Sequence, residues 1–303
     1  MNILYSILPE KLRYAFERLP IDRVYELRLR CNRPAVVTIN SRSYYLTDNG
    51  PKNDPAEGII ITSVDLETIL HKASDYSLYA VNDQLKQGFI TIRGGVRIGI
   101  CGEYVTTTIK NISSLNIRVP HEVRGCSYSV LPYIFTDERP LKTLIISPPG
   151  AGKTTFLRDL ALNVCEKYML PNVLILDERG EIAANYMGEN QLDVGASDVL
   201  TGASKTYGFE NGVRSMRPDV IITDELSGRE DLDMVRLAAR SGVCVFASVH
   251  ARDIDEIRLK PHWRELIEDG VFDRYVVLTT RDTAGAVVGV YDRMLKPIHT
   301  PPC

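Results

Sequence analysis

Ser147, Pro148, Pro149, Gly150, Ala151, Gly152, Lys153, Thr154 and Thr155 follow directly on the apolar run 143–146 and open a helical pattern that extends to Tyr168. A strand, a glycine-bearing loop and a helix in that order read as a phosphate-binding loop. Gly150 and Gly152 let successive backbone N–H groups turn toward an anion, and the helix opening near Lys153 presents its positive end to the same point. Lys153 is expected to neutralise β- and γ-phosphate charge and the Thr154 hydroxyl to ligate Mg²⁺, so ATP and Mg²⁺ are the expected ligands. Ser147 stands where the pattern G-x-x-x-x-G-K-[ST] has its first glycine, and serine accepts a sharp bend less freely.

Around this loop the chain alternates short apolar runs with helical stretches. Strands are expected over 143–146, 173–176, 220–223, 244–248 and 274–278, and helices over 153–168 and 231–241. That alternation argues for an α/β domain with a mostly parallel sheet covered on both faces. Upstream, the runs "YELRLR" and "AVVTIN", a helix over 65–73 capped by Thr62 or Ser63, and two β-rich runs joined at Arg93-Gly94-Gly95 describe a smaller α+β domain. The expected division is 1–119, a linker over 120–137, and 138–303. The segment 1–19 is amphipathic and repeatedly interrupted by charge, which reads as one helix and not as a signal peptide.

A chain of 303 residues, 44% apolar and 25% charged, has enough material for two packed cores. Its net charge of −3 argues against dedicated nucleic-acid binding. No window approaches the about 20 consecutive apolar residues of a membrane span. Cys31, Cys101, Cys126, Cys165, Cys244 and Cys303 show neither a C-x-x-C pair nor a nearby histidine at ligand spacing, and read as thiols of a reducing compartment.

If Lys153 holds phosphates, an acid at the end of a neighbouring strand must hold Mg²⁺ and position water. Two segments qualify, "NVLILDERGEIA" with Asp177, Glu178 and Glu181, and "RPDVIITDELSGRED" with Asp224 and Glu225. Asp224 is expected on Mg²⁺, directly or through water, and Glu225 on the attacking water. Asp177 and Glu178 are the second acidic candidates, Asp177 for the metal and Glu178 for catalysis. The run "CVFASVH" brings His250 to the same sheet edge, where it can report the γ-phosphate. The bland alternatives are helix caps, solvated loop ends and a hydrogen-bonded structural histidine.

The order of these motifs resembles the secretion ATPases of type II, type IV pilus and type IV secretion systems over most of 140–260. More closely, "DERGEIA", "LDVGASDVL" and "RSMRPDVIITDEL", with "ELRLRCNRPAVV" and "RGGVRIGICGEY", resemble the stage III sporulation AA family over nearly the whole chain. The resemblance implies a RecA-like core and a cytoplasmic mother-cell ATPase, peripheral at the membrane through inner-membrane partners of the mother cell–forespore channel. It also implies a homo-hexamer in which basic residues of one subunit reach phosphate bound to its neighbour. Arg97, Arg118 and Arg124 are candidates for that role, as are Arg217 and Arg229 beside the second acidic motif. Two rival functions stay open, a nucleic-acid-dependent RecA-like ATPase, given the density of Arg23, Arg28, Arg30 and Arg33, and an ATP-binding scaffold with negligible turnover.

Overall fold

The computed structural model describes residues 2–40, 42–77, 81–105, 108–136, 139–167, 172–280 and 284–299; Met1, positions 137–138, Tyr168 and Cys303, which enter the expectations above, lie outside the described residues. The chain divides into two compact units, Met1–His121 with Tyr186–Gln191, and Glu122–Asn185 with Leu192–Cys303.

In the first unit, α1 (Asn2–Ile7) and α2 (Glu10–Phe16) replace the single helix expected over 1–19. Pro9 makes the break, because it lacks an N–H and disfavours a helical conformation at the residue before it; its own ψ is 154°. The apolar positions of the segment are core, with Leu4, Ile7, Leu8, Leu12 and Phe16 all buried. They pack with a sheet of β1 (Val24–Arg30), β2 (Val36–Ile39), β3 (Arg42–Thr47), β4 (Gly50–Lys52), β5 (Phe89–Ile92), β6 (Val96–Val105) and β7 (Thr108–Arg118), in the order β4-β3-β2-β1-β7-β6-β5. All its pairings are antiparallel. α3 (Ser63–Ala73) starts at a capping box in which Thr62 and Asp65 satisfy each other's backbone N–H, and the short α4 (Asn82–Lys86) leads into β5. Gly94 and Gly95, both at positive φ, turn the β5–β6 connection where the hairpin is expected. Across β1, β7 and β6 the register aligns Glu26, Arg118 and Arg97, so two arginines stand directly opposite each other.

The second unit begins with α5 (Leu131–Ile134) and a two-stranded ribbon, β8 (Phe135–Thr136) with β9 (Arg139–Pro140). Its sheet contains β10 (Thr143–Ser147), β11 (Val173–Asp177), β12 (Asp198–Thr201), β13 (Val220–Thr223), β14 (Cys244–His250), β15 (Arg274–Leu278), β16 (Val287–Asp292) and β17 (Pro297–His299), in the order β12-β11-β13-β14-β10-β15-β16-β17. From β12 to β15 every pairing is parallel, and the last two are antiparallel. Every residue of β10, β11 and β13 is buried, as strands covered on both faces must be. The helices are α6 (Lys153–Lys167), α7 (Lys205–Ser215), α8 (Arg229–Arg240), α9 (Ile254–Leu259) and α10 (Pro261–Glu268). The carboxyl ends of β10, β11, β13 and β14 therefore lie side by side, carrying Ser147, Asp177, Thr223 with Asp224 next in the chain, and His250. In open parallel sheets that edge is where ligands bind.

Candidate nucleotide site

The loop after β10 turns to positive φ at Gly150 (80°) and Gly152 (84°), but not at Ser147. Ser147, fully buried at the strand end, is not at positive φ, so its backbone does not demand glycine there. A Cβ on Gly150 would meet nothing within 4 Å, whereas one on Gly152 would lie 2.6 Å from Gly285 N and 2.8 Å from Ala284 Cβ. Gly285 N also donates to Ala151 O (2.8 Å), so residues 284–285 brace the loop, a contact the motif alone does not reveal.

Lys153 and Thr154, the first residues of α6, both reach Asp224. Lys153 Nζ lies 3.1 Å from Asp224 Oδ1, and Thr154 Oγ1 donates to Oδ2 at 2.8 Å. Ser248 Oγ donates to Oδ1 at 2.7 Å, and the Glu225 N–H to the same oxygen at 2.8 Å. Burial pushes the Asp224 carboxyl up, but the Lys153 charge with the Ser248 and Thr154 hydrogen bonds outweighs it and holds the group below the ordinary carboxylate range. Sequence patterning singled out Asp224 and Thr154 but not Ser248, which sits two residues before His250 in the same strand.

Glu225 adopts φ +35°, a strained conformation for a residue with a side chain. Its N–H is shared between Asp224 Oδ1 and Ser248 Oγ (3.0 Å), and Leu226 N donates to Ser248 O, which fixes the turn after β13. Its carboxylate is ringed by basic groups, with Lys153 Nζ at 3.7 Å and Arg179 Nη1 at 3.2 Å from Oε2, and His250 Nε2 at 3.7 Å from Oε1. His250 Nδ1 lies 3.3 Å from Ser147 O. A carbonyl only accepts, so that contact places the proton on Nδ1.

Asp177 lies at the same edge, but its two oxygens accept from the backbone N–H groups of Glu181, Ile182 and Ala183 at 2.8–3.1 Å. Burial pushes its carboxyl up despite those bonds. From α6, Arg158 donates to Ile182 O (2.6 Å) and Glu181 O (2.7 Å), so the 177–183 turn is pinned by an acid from within and a cation from outside. Glu178 points elsewhere, with Lys205 Nζ 2.5 Å from its Oε2. Of the acids selected from sequence, Asp224 and Glu225 meet Lys153 directly, while Asp177 and Glu178 engage the backbone and Lys205. No sequence motif marks Arg158, because the carbonyls it serves lie more than twenty residues away in the chain. Asp159, on the same helix, accepts from Gly125 N, Ser127 N and Ser127 Oγ and so anchors the start of the unit.

The residues fit Mg-ATP. The loop has room at Gly150, a helix start for anionic oxygens, a lysine, and a hydroxyl paired with an acid. Among the described residues no group of three or more His, Cys, Asp or Glu side chains could cage a metal. Mg²⁺ takes one or two protein oxygens and completes its shell with phosphate and water, and Thr154 Oγ1 with Asp224 Oδ2 offers such a pair.

Comparison with known proteins gives the family and the fold. The sequence signature of the family described as "Sporulation stage III, protein AA" matches residues 2–297. Stage III sporulation protein AA of Bacillus subtilis (strain 168) is 36% identical over 305 residues, covering 97% of this chain and 95% of the relative. Among solved structures, the Legionella pneumophila ATPase DotB superposes with a TM-score of 0.63 at 12% identity, covering 94% of this chain and 81% of DotB. The pilus retraction motor PilT, solved with bound ADP, gives 0.55 at 16% identity over 84% of this chain and 74% of PilT. The fold is that of the secretion ATPases, with a RecA-like P-loop core.

Proposed function

The chain belongs to the sporulation stage III protein AA family, and from that premise we propose that it is a Mg²⁺-dependent ATP hydrolase of the secretion-motor type. It works as a homo-hexamer with inner-membrane partners in the mother-cell cytoplasm, energising assembly of, or transport through, the mother cell–forespore channel of endospore formation. The observation that carries the reading is the convergence of Lys153 and Thr154 on Asp224 with Glu225 one residue on. Lys153 binds the β- and γ-phosphates, and the loop N–H groups of 150–155 orient them. Mg²⁺, when bound, neutralises phosphate charge and polarises the γ-phosphoryl group; Thr154 and Asp224 are the residues that would hold it. Glu225 orients the attacking water, and His250, bonded to the loop through Ser147 O, registers the γ-phosphate. Asp177 acts through the turn it pins, and Glu178 through its pairing with Lys205. Among the described residues no helix is long and apolar enough to cross a membrane.

The test is phosphate release from Mg-ATP by the full chain beside Lys153→Ala and Glu225→Gln, with ADP and ATP binding measured on each. Lys153→Ala is expected to lose binding and turnover, and Glu225→Gln to bind ATP while turnover falls at least about 100-fold. Wild-type turnover in Lys153→Ala would sink the assignment. ATP binding by the wild type with no turnover, even with its membrane partners added, would instead favour the scaffold.

A further inference from the structure

Arg179 and Lys153 converge on one anionic atom. Arg179 Nη1 stands 3.2 Å from Glu225 Oε2, the oxygen that lies 3.7 Å from Lys153 Nζ. One cation comes from the phosphate loop and the other from the turn after β11, two segments that meet at the carboxyl edge of the sheet. The turn that carries Arg179 is fixed, since Asp177 holds the N–H groups of Glu181, Ile182 and Ala183 and Arg158 holds two of its carbonyls. The Arg179 side chain itself is 64% exposed and so has room to reorient. An ion pair with so exposed a partner adds little to stability, so fold maintenance does not account for the arginine.

We propose that Arg179 is a catalytic residue that donates, within its own subunit, to the γ-phosphoryl oxygens of ATP. The inference rests on the ATPase reading above. A γ-phosphoryl group carries more negative charge than a carboxylate and matches the planar guanidinium fork with two acceptor oxygens. Cations that share Glu225 Oε2 are therefore placed to share a phosphoryl oxygen instead. When they do, Glu225 is released from both and turns its carboxylate to water. The water oxygen then bonds to Pγ while the bond from Pγ to the β–γ bridging oxygen breaks, its electron pair leaving on ADP. The water proton passes to Glu225 and on to inorganic phosphate. Arg179 neutralises the charge that spreads over the transferring group, as an arginine does in other phosphoryl-transfer sites.

The experiment uses the full chain and compares wild type, Arg179→Ala and Arg179→Lys in three measurements: steady-state hydrolysis, affinity for Mg-ATP and Mg-ADP, and tight binding of Mg-ADP with aluminium fluoride, which mimics the planar phosphoryl group. We expect kcat to fall at least about 100-fold in Arg179→Ala, with little rescue by lysine, which lacks the fork. ADP affinity should change less than about twofold, and tight aluminium fluoride binding should be lost. An Arg179→Ala protein that hydrolyses at the wild-type rate overturns this inference and leaves the ATPase reading standing. Equal loss of ADP affinity and ATP affinity with a lowered unfolding midpoint makes the arginine structural and also overturns it. A wild type that binds neither nucleotide overturns the ATPase reading, and this one with it.

Discussion

The two glycines of the phosphate loop show how one residue type answers two demands. Gly150 and Gly152 share a positive φ, but open space surrounds the first and a braced turn crowds the second. Alanine at 150 should cost only the left-handed backbone, about 1–2 kcal/mol. Alanine at 152 adds a clash with Gly285 N and Ala284 Cβ, and overpacking brings the total to about 2–4 kcal/mol. Urea unfolding of the two variants checks the order, and equal midpoints would refute the bracing. Asp224 sets a pH dependence at the same scale. Its carboxyl is raised by burial but lowered further by Lys153, Ser248 and Thr154, so its folded pKa lies below its unfolded one. Such a group stabilises fully above the unfolded value, near about pH 4, and that contribution is lost as pH falls through the folded pKa. The stability difference between wild type and Asp224→Asn should therefore hold steady from neutral pH to about pH 4 and shrink below it. A difference that grows on acidification would contradict the pairing with Lys153.

Helix α6 carries the phosphate loop at its start and a buried polar face along its length. Arg158, Asp159 and Asn163 are each almost fully buried, and Asn163 Nδ2 donates to Ser127 Oγ and Asp159 O. Arg158→Met fills the space but removes the two hydrogen bonds that Arg158 donates to the carbonyls of Glu181 and Ile182, and the cation beside Asp177. It should cost about 3 kcal/mol in urea unfolding, and a neutral result would mean the 177–183 turn holds itself. This helix also marks the limit of sequence reading. The loop pattern predicts the helix that follows it, and the buried strands announce themselves as unbroken apolar runs. Arg158 and Asp159 carry no such signal, because the partners they bond come from the 177–183 turn and from Gly125 and Ser127. β12, with exposed ends, gives no apolar signal, and it forms because its backbone pairs with β11. That Lys153, Thr154, Asp224, Glu225 and His250 come together at one sheet edge was legible because each stands in a short motif at a strand end or helix start. Ser248 and Arg179 were not, since the contacts that bring them to Asp224 and Glu225 join segments far apart in the chain.

At the scale of the whole molecule, the opposed arginines of the first unit pose a physical question. Arg97 and Arg118 face each other across β6 and β7, and like charges so placed destabilise a sheet. Arg97 is engaged, its guanidinium lying 3.6 Å from the Phe89 ring centroid, while Arg118 is exposed and has Glu26 on its other side. In the ring proposed above, the phosphate bound by a neighbouring subunit would supply an anion that offsets this cost. Arg118→Ala should therefore leave folding intact, or improve stability by up to about 1 kcal/mol, while abolishing hydrolysis. A closed ring with head-to-tail contacts gives a sharper expectation when two inactive proteins are mixed. In a ring assembled at random from Lys153→Ala and Arg118→Ala chains, about a quarter of the interfaces pair an intact Lys153 with an intact Arg118 from the neighbour. Mixing should restore a measurable fraction of wild-type phosphate release, rising and falling with the ratio of the two chains. Light scattering in Mg-ATP should give a mass near six times the 34.0 kDa chain. Activity that stays at zero at every ratio, in particles of that mass, would place Arg118 outside the shared site and return it to the sheet as a surface cation.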